Sequence, residues 1–259
     1  MHLGIIGYGN ITRALLSVLA QEGARPARLS LLMRRAEVVE GAQVFADPAA
    51  LIAARPDLIV ENAGHSAIAE TVLPALRAGI ECVVVSIGAL ADDGLFAAVR
   101  QAARDGGTRI VLPAGAIGGV DLLSALRPSG ISRVVYTSRK PPLAWLGTPA
   151  EGLLDLPALR DEACFFTGTA RNAALGYPKN ANVAATLALA GIGFDATEVR
   201  MIADPAVTQN IHEFSVSAGA AEYAIRIQGN PSPDNPKTSA ATALSVAREV
   251  LNRMREVAI

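Results

Sequence analysis

Aromatic residues are scarce in this chain, at 4% of 259 residues, and charged residues reach only 18%. A core short of aromatic rings must be assembled from Ala, Val, Leu and Ile. With 51% of residues hydrophobic, the low charge excludes a disordered chain. The formal net charge of −1 offers no field to a polyanion. Nucleic-acid recognition needs clustered Lys and Arg, with stacking aromatics for single strands, so that partner class is excluded. Cysteine is almost missing too. Cys82 and Cys164 stand far apart without paired spacing, which excludes a disulfide framework or a Cys-rich metal site and points to a reducing compartment. The opening Met1-His2-Leu3-Gly4-Ile5-Ile6 lacks the basic start and long apolar stretch of a signal peptide. No segment approaches ~18–20 uninterrupted apolar residues. The expectation is a cytoplasmic protein with no membrane, nucleic-acid or metal partner, long enough to bury a real core.

What is present is a regular alternation. Up to about residue 117, short apolar runs at Leu3–Ile6, Leu29–Leu32, Leu58–Val60, Cys82–Val85 and Arg109–Leu112 read as strands. Helical stretches near Ile11–Ala20, Ser66–Ala78 and Asp92–Arg104 lie between them. Such alternation predicts parallel strands joined by right-handed crossovers, and continuous apolar strands suit a sheet covered on both faces. After Pro113 a Gly-rich turn leads to a helix at Val120–Leu126. Strand signals then come closer together, at Arg133–Thr137, Glu198–Ile202, Ile211–Val216 and Glu222–Ile227, interrupted by a helix near Asn182–Ala190. The fold class is α/β: an N-terminal Rossmann-type parallel-sheet domain over 1–117, and an α+β domain with a mostly antiparallel sheet over 118–237. A last helix over 238–257, with Thr238 or Ser239 as its N-cap and an apolar stripe from Ala243 to Met254, is expected to pack back on the first domain.

The first strand runs into Gly7-Tyr8-Gly9-Asn10-Ile11-Thr12 and then a helix. A dinucleotide needs a residue of unusual dihedrals to turn the chain and a second without a side chain, so that backbone can approach a pyrophosphate. Helix N-terminal amides then face the negative charge. Gly7 and Gly9 meet the first two demands, and Asn10 and Ile11 supply the third. Thr12 replaces the glycine that usually follows, at a position concerned with helix–strand packing. A lone G-x-G is weak; after a first strand and before a helix it is much stronger. NAD enzymes usually end the second strand with an acid for the ribose 2′-OH, but here it ends Leu32-Met33-Arg34-Arg35. Arg34 and Arg35 suit a 2′-phosphate, so the cofactor is NAD or NADP, with NADP favoured or accepted; a solvated basic loop is the competing reading.

Three histidines are candidates for acid–base work. His2 precedes the first strand and reads as inert. His65 follows a parallel strand at its carboxyl end, where ligands gather, but packing at a helix entry explains it equally well. His212 shares a strand face with Asn210, Phe214 and Val216, where a satisfied core histidine is the ordinary reading.

The remaining blocks are Val85-Ser86-Ile87-Gly88-Ala89-Leu90, Pro113-Ala114-Gly115-Ala116-Ile117-Gly118-Gly119-Val120-Asp121, Tyr177-Pro178-Lys179-Asn180-Ala181-Asn182-Val183-Ala184-Ala185, Ala203-Asp204-Pro205, Asn210-Ile211-His212-Glu213 and Asn235-Pro236-Lys237-Thr238-Ser239. In this order they resemble the L-aspartate dehydrogenase family across nearly the whole chain. The resemblance implies oxidation of L-aspartate to iminosuccinate with reduction of NAD or NADP. Iminosuccinate then gives oxaloacetate and ammonia, or feeds quinolinate and hence NAD biosynthesis. It implies an active-site role for His212 and cofactor contacts at Ala116 and Asn182. Thr12 departs from the family's glycine loop, and Ala114 stands where the family often has Ser. Lys140, Lys179 and Lys237 sit beside prolines in the second domain as unassigned candidates for holding carboxylates, and Glu213 or Asp204 could orient His212. Two alternatives stay open: a related two-domain NAD(P) oxidoreductase on another amino acid or imine, and a non-enzymatic nucleotide-sensing module, which has no need of His212. A homodimer or higher homo-oligomer is expected, since open antiparallel edges pair.

Overall fold

The computed structural model describes every residue except 35–37, 179, 233 and 234, with backbone alone over 231–238. The chain forms two compact units, Met1–Pro113 with Thr242–Ile259, and Ala114–Ala241.

In the first unit, β1 (His2–Ile6) is buried at every residue, as a strand covered on both faces must be. Helix α1 (Asn10–Gln21) follows, then β2 (Arg28–Leu32), β3 (Gln43–Phe45) and α2 (Pro48–Ala53), whose N-cap Asp47 accepts from the Ala49 amide at 3.0 Å. Next come β4 (Leu58–Glu61), α3 (Leu73–Arg77), β5 (Glu81–Val84), α4 (Asp93–Asp105) and β6 (Ile110–Val111). Among the described residues six strands make one sheet in the order β3-β2-β1-β4-β5-β6, with every pairing parallel. The order reverses between β1 and β4, which opens a crevice at their carboxyl ends. Two expectations need correction. The three-residue β3 and the short α2 escaped a reading that needs longer periodic runs. The single helix at Ser66–Ala78 is a π-helical turn, Ile68–Val72, followed by α3. Pro74 in the first turn of α3 has no N–H to give, which accounts for the local loosening.

The second unit contains α5 (Val120–Ala125), β7 (Ile131–Lys140), β8 (Ala163–Thr169), α6 (Ala170–Gly176), α7 (Asn182–Ala190), β9 (Glu198–Ala203), β10 (Asn210–Ala218) and β11 (Glu222–Gly229). A small hairpin of β12 (Pro231–Ser232) and β13 (Asn235–Ser239) ends it. Its five-stranded sheet has the order β11-β10-β7-β9-β8. Every pairing is antiparallel except β7 with β9. Strand β8 and helix α6 were not expected; α6 starts on a capping box in which Thr169 and Asn172 bond each other's backbone. Period-two alternation buries one sheet face: Val134, Tyr136, Ser138 and Lys140 on β7, His212, Phe214 and Val216 on β10, and Val199, Met201 and Ala203 on β9. The end of α7 lies on this face, since a Cβ on Gly191 would stand 3.4 Å from Val134 and 3.3 Å from Leu123. The opposite face carries Arg133, Ser215 and Arg226, all exposed.

The Gly-rich turn before α5 belongs to this second unit, so the units divide at residue 113 rather than 117. Gly119 is the reason: at φ +71° it sits so close to Ile225 that a Cβ would come within 2.2 Å, and its carbonyl accepts from the Tyr223 hydroxyl. The last helix, α8 (Ala240–Leu251), begins two residues later and stops six earlier than expected. Ser239 is its cap, accepting from the Ala241 amide at 3.3 Å. Its end is fixed by Asn252, whose side chain bonds the backbone of Ile259 and folds the tail back. Val246, Ala247, Val250 and Leu251 of α8 pack with Leu3, Ile5, Leu15 and Leu31 in the core of the first unit. Among the described residues no helix is long and apolar enough to cross a membrane.

Candidate active site

The glycine turn leaves β1 between two neighbours. Gly7 donates to the Leu32 carbonyl at the end of β2, and the Asn62 amide beyond β4 donates to the Ile6 carbonyl. Gly7 takes φ +90°, and a Cβ there would stand 3.1 Å from Ala63 and 3.2 Å from the Asn62 carbonyl. The protein itself demands glycine at that position. Gly9 differs. It is the N-cap of α1 in extended conformation, and a Cβ on it would meet nothing within 4 Å. Space beside Gly9 is therefore left for something other than protein, and a pyrophosphate approaching backbone fits it.

Asn10 and Ile11 open α1, whose first turn has no acidic residue to oppose an anion. Thr12 explains the missing third glycine. Its fully buried hydroxyl donates to the Gly7 carbonyl at 2.8 Å and accepts from the Asn62 side chain at 3.2 Å, so it braces the turn. A cavity of about 580 Å³ opens here, with Gly7, Gly9, Arg13, Arg34, Asn62 and Thr71 among its walls. The exposed Arg34 is one of these walls; Arg35 lies outside the described residues. Arg13 was missed. It stands three residues into α1, over the Tyr8 ring at 5.4 Å from its centroid, and brings a second cation to the cavity. Its helical spacing from Asn10 was the signal that could have found it.

Glu61 organises the loops around this cavity from within. Fully buried, its carboxylate accepts from the amides of Ala63 and Gly64 at 2.7 and 2.8 Å, and from the Ser86 amide and hydroxyl at 3.0 and 2.9 Å. The half-buried His65 follows it, with its pKa lowered by desolvation against the raising effect of Glu61. His2 is a satisfied core residue, its Nε2 lying 2.8 Å from the Ser30 hydroxyl.

The second unit holds Ala116 in the Gly-rich turn, Asn182 at the start of α7 and His212 on β10. The β7–β10 register sets His212 opposite Ser138 and Phe214 opposite Tyr136. That places the Tyr136 hydroxyl 2.7 Å from His212 Nδ1, with the rings 11° from parallel. Neither Glu213 nor Asp204 orients the histidine. Glu213 pairs with Arg226 on the opposite face, and Asp204 pairs with Arg139. The orienting group is a buried phenol, which holds one ring nitrogen and leaves Nε2 for other work. Burial, and after it the charge of Lys140, lower the His212 pKa to about 3, so the imidazole is neutral at physiological pH. Lys140 is itself buried on this face, its pKa lowered to about 8 by desolvation. Among the described residues no group of three or more His, Cys, Asp or Glu is placed to hold a metal ion.

The comparisons with known proteins divide the chain along similar lines. Residues 7–113 match the family model described as homoserine dehydrogenase, NAD binding domain, and residues 121–253 match aspartate dehydrogenase, C-terminal. An L-aspartate dehydrogenase of Cupriavidus taiwanensis is 43% identical over all of both chains. One of Polaromonas is 52% identical, covering 79% of this chain and 76% of the relative. This chain belongs to the L-aspartate dehydrogenase family. Membership makes it an amino-acid dehydrogenase with a nicotinamide-nucleotide domain. The fold agrees: the crystal structure of aspartate dehydrogenase from Thermotoga maritima superposes with a TM-score of 0.81 at 25% identity, over 100% of this chain and 99% of that one. A hyperthermophilic archaeal homoserine dehydrogenase, at 12% identity and a TM-score of 0.60, shares the fold alone. In this family setting, His212 and its phenol partner lie within the segment that defines aspartate dehydrogenases, and the glycine turn lies in the segment shared more widely.

Proposed function

We propose that the chain oxidises L-aspartate to iminosuccinate in the cytoplasm, using NAD or NADP with NADP favoured. Iminosuccinate would hydrolyse to oxaloacetate and ammonia or supply quinolinate for NAD biosynthesis. The observation that carries this reading is the buried His212–Tyr136 pair in the family's C-terminal segment. A buried sheet face built largely from Val134, Phe214, Val216, Val199, Met201 and Ala203 has no packing need for a hydrogen-bonded imidazole and phenol.

A bound nicotinamide supplies the acceptor for the hydride that leaves Cα. The chain's own residues do the rest. Gly7 and Gly9 admit the pyrophosphate, and the amides of Asn10 and Ile11 face its charge. Arg34 and Arg35 hold a ribose 2′-phosphate. Ala116 and Asn182 contribute further cofactor contacts. Neutral His212, fixed at Nδ1 by Tyr136, offers Nε2 to the substrate amine or to the water that attacks the imine. The same reading includes a homodimer or larger homo-oligomer, in which the outer strands β11 and β8 gain partners.

The test follows reduction of NAD and of NADP with L-aspartate, beside L-glutamate, L-homoserine and L-alanine. Turnover is expected with L-aspartate above the others. No turnover with any amino acid and either nucleotide would sink the proposal.

A further inference from the structure

Buried charges in proteins are paired, because an isolated ammonium in a low-dielectric interior costs several kcal/mol. Lys140 departs from this rule. Only 7% exposed at the end of β7, its Nζ lies 3.0 Å from Asn180 Oδ1 and 4.8 Å from the centroid of the buried Trp145 ring. An amide oxygen and an aromatic face are neutral partners. Among the described residues no carboxylate forms an ion pair with it. The adjacent acid, Asp204, is committed to Arg139. Trp145 is held in place by donating to the Ile202 carbonyl at 3.1 Å and by an edge contact with Phe165, so the cation is framed rather than loosely folded in. Lys140 also shares its sheet face with Tyr136 and, across the β7–β10 pairing, with His212. Its charge is felt at the histidine.

We infer that Lys140 is a substrate-binding residue whose missing counter-ion is a carboxylate of the dicarboxylic substrate, with Asn180 orienting the ammonium toward it. The inference rests on the aspartate reading and names the group that reads the substrate's charge. It also gives the field at His212 a purpose. With a carboxylate on Lys140 the positive potential is cancelled, which removes the smaller of the two causes that lower the His212 pKa and leaves desolvation as the larger. The other groups facing Lys140 do not compete for protons near neutrality. His212 is already neutral, burial raises the Tyr136 phenol well above its usual range, and Asn180 and Trp145 do not titrate.

Succinate, which has two carboxylates and no amine to oxidise, is the probe, measured by calorimetry with NADP present. Wild-type protein is expected to bind it saturably. Its Kd should be flat between about pH 6.5 and 7, where succinate is a dianion, and rise about tenfold per pH unit above about 8, as Lys140 loses its proton. Lys140→Met should weaken succinate and raise the KM for L-aspartate about ten- to a hundredfold, the range of a hydrogen bond to a charged group. Nucleotide affinity should stay unchanged. The apoprotein's Tm should hold or rise, because an unpaired buried charge has been removed; a merely structural lysine would lower it. Lys140→Gln repeats the test with a side chain that keeps polarity and loses the charge. Succinate affinity within about threefold of wild type in either folded variant, a change too small for a lost charged contact, overturns the inference. So does a wild-type Kd that stays flat from pH 7 to 10, or no succinate binding at all; these decide the matter should both variants fail to fold. Lys140-dependent succinate binding in a protein that does not turn over L-aspartate would retain the carboxylate site and reject the proposed reaction.

Discussion

Glu61 and Lys140 are both buried charges, one in each unit, and they are treated in opposite ways. Glu61 receives four hydrogen bonds from three residues and is finished as a structural post. Lys140 has an amide oxygen and a ring face, with no ion pair among the described residues. The contrast extends to the surroundings. In the proposed reading the first unit offers backbone to the nucleotide, at Gly7, Gly9 and the start of α1, while Thr12 and Asn62 spend their polar side chains on bracing that turn. The second unit brings side chains from strands distant in sequence but paired in the sheet onto one face, and leaves part of their polar capacity unspent. A site that reads phosphate by backbone can be completed in advance. One that reads a particular amino acid keeps part of its polar capacity for the substrate.

That contrast can be broken or sharpened by substitution. The largest effect is expected for His212→Ala, which should lower kcat about 10²–10⁴-fold while leaving nucleotide affinity alone. Equal losses in both would make the histidine structural and erase the distinction between units. Gly7→Val should cost about 1–3 kcal/mol through its φ of +90° and the contact with Ala63, and should abolish nucleotide binding; succinate binding to the second unit should survive in the folded fraction. Acid sensitivity probes the second unit next. An unfolded imidazole takes up a proton near pH 6.5 that folded His212 refuses until about pH 3. Its contribution is therefore complete above 6.5 and is lost as pH falls toward 3, with a slope of up to about 1.4 kcal/mol per pH unit. His212→Gln should flatten that decline in denaturation curves taken at several pH values; an unaltered slope would place the acid-sensitive group elsewhere. Arg34→Ala should weaken NADP about tenfold and NAD hardly at all, and an unchanged preference would return the arginine to the solvated surface. Smallest is Thr12→Ala, worth about 1 kcal/mol of stability as the brace on Gly7 is removed.

The two sites were not equally legible in the sequence, for the same physical reason. The glycine turn is local: its residues lie within six positions, and the dihedral and space requirements that select glycine act on each one separately. Helix α7 was read at its observed bounds because seven of its nine residues are Ala, Leu or Val, which leaves little choice. The Tyr136–His212 pair is different. Period-two alternation places Tyr136, Ser138 and Lys140 on one face of a strand, but only the β7–β10 register, joining residues 76 apart, puts that face against His212. No local pattern encodes that register, so the orienting group was sought among nearby acids, Glu213 and Asp204, that face elsewhere. His212 itself was singled out by family resemblance; its own residue context favoured an ordinary core histidine. The π-helical turn before α3 and the short β3 fall below the length at which periodicity speaks.

The return of α8 to the first unit has a consequence for the order in which the protein can be made. The ribosome delivers β1 to β6 before the second unit, but Val246, Ala247, Val250 and Leu251, which pack with Leu3, Ile5 and Leu31, emerge only after that unit. The second unit is contiguous from Ala114 to Ala241 and has all its strands in hand before then. Although the nucleotide-binding half is translated first, its core must stay partly uncovered while the other half folds. The last turn of α8 closes a core whose strands were made before the whole of the second unit.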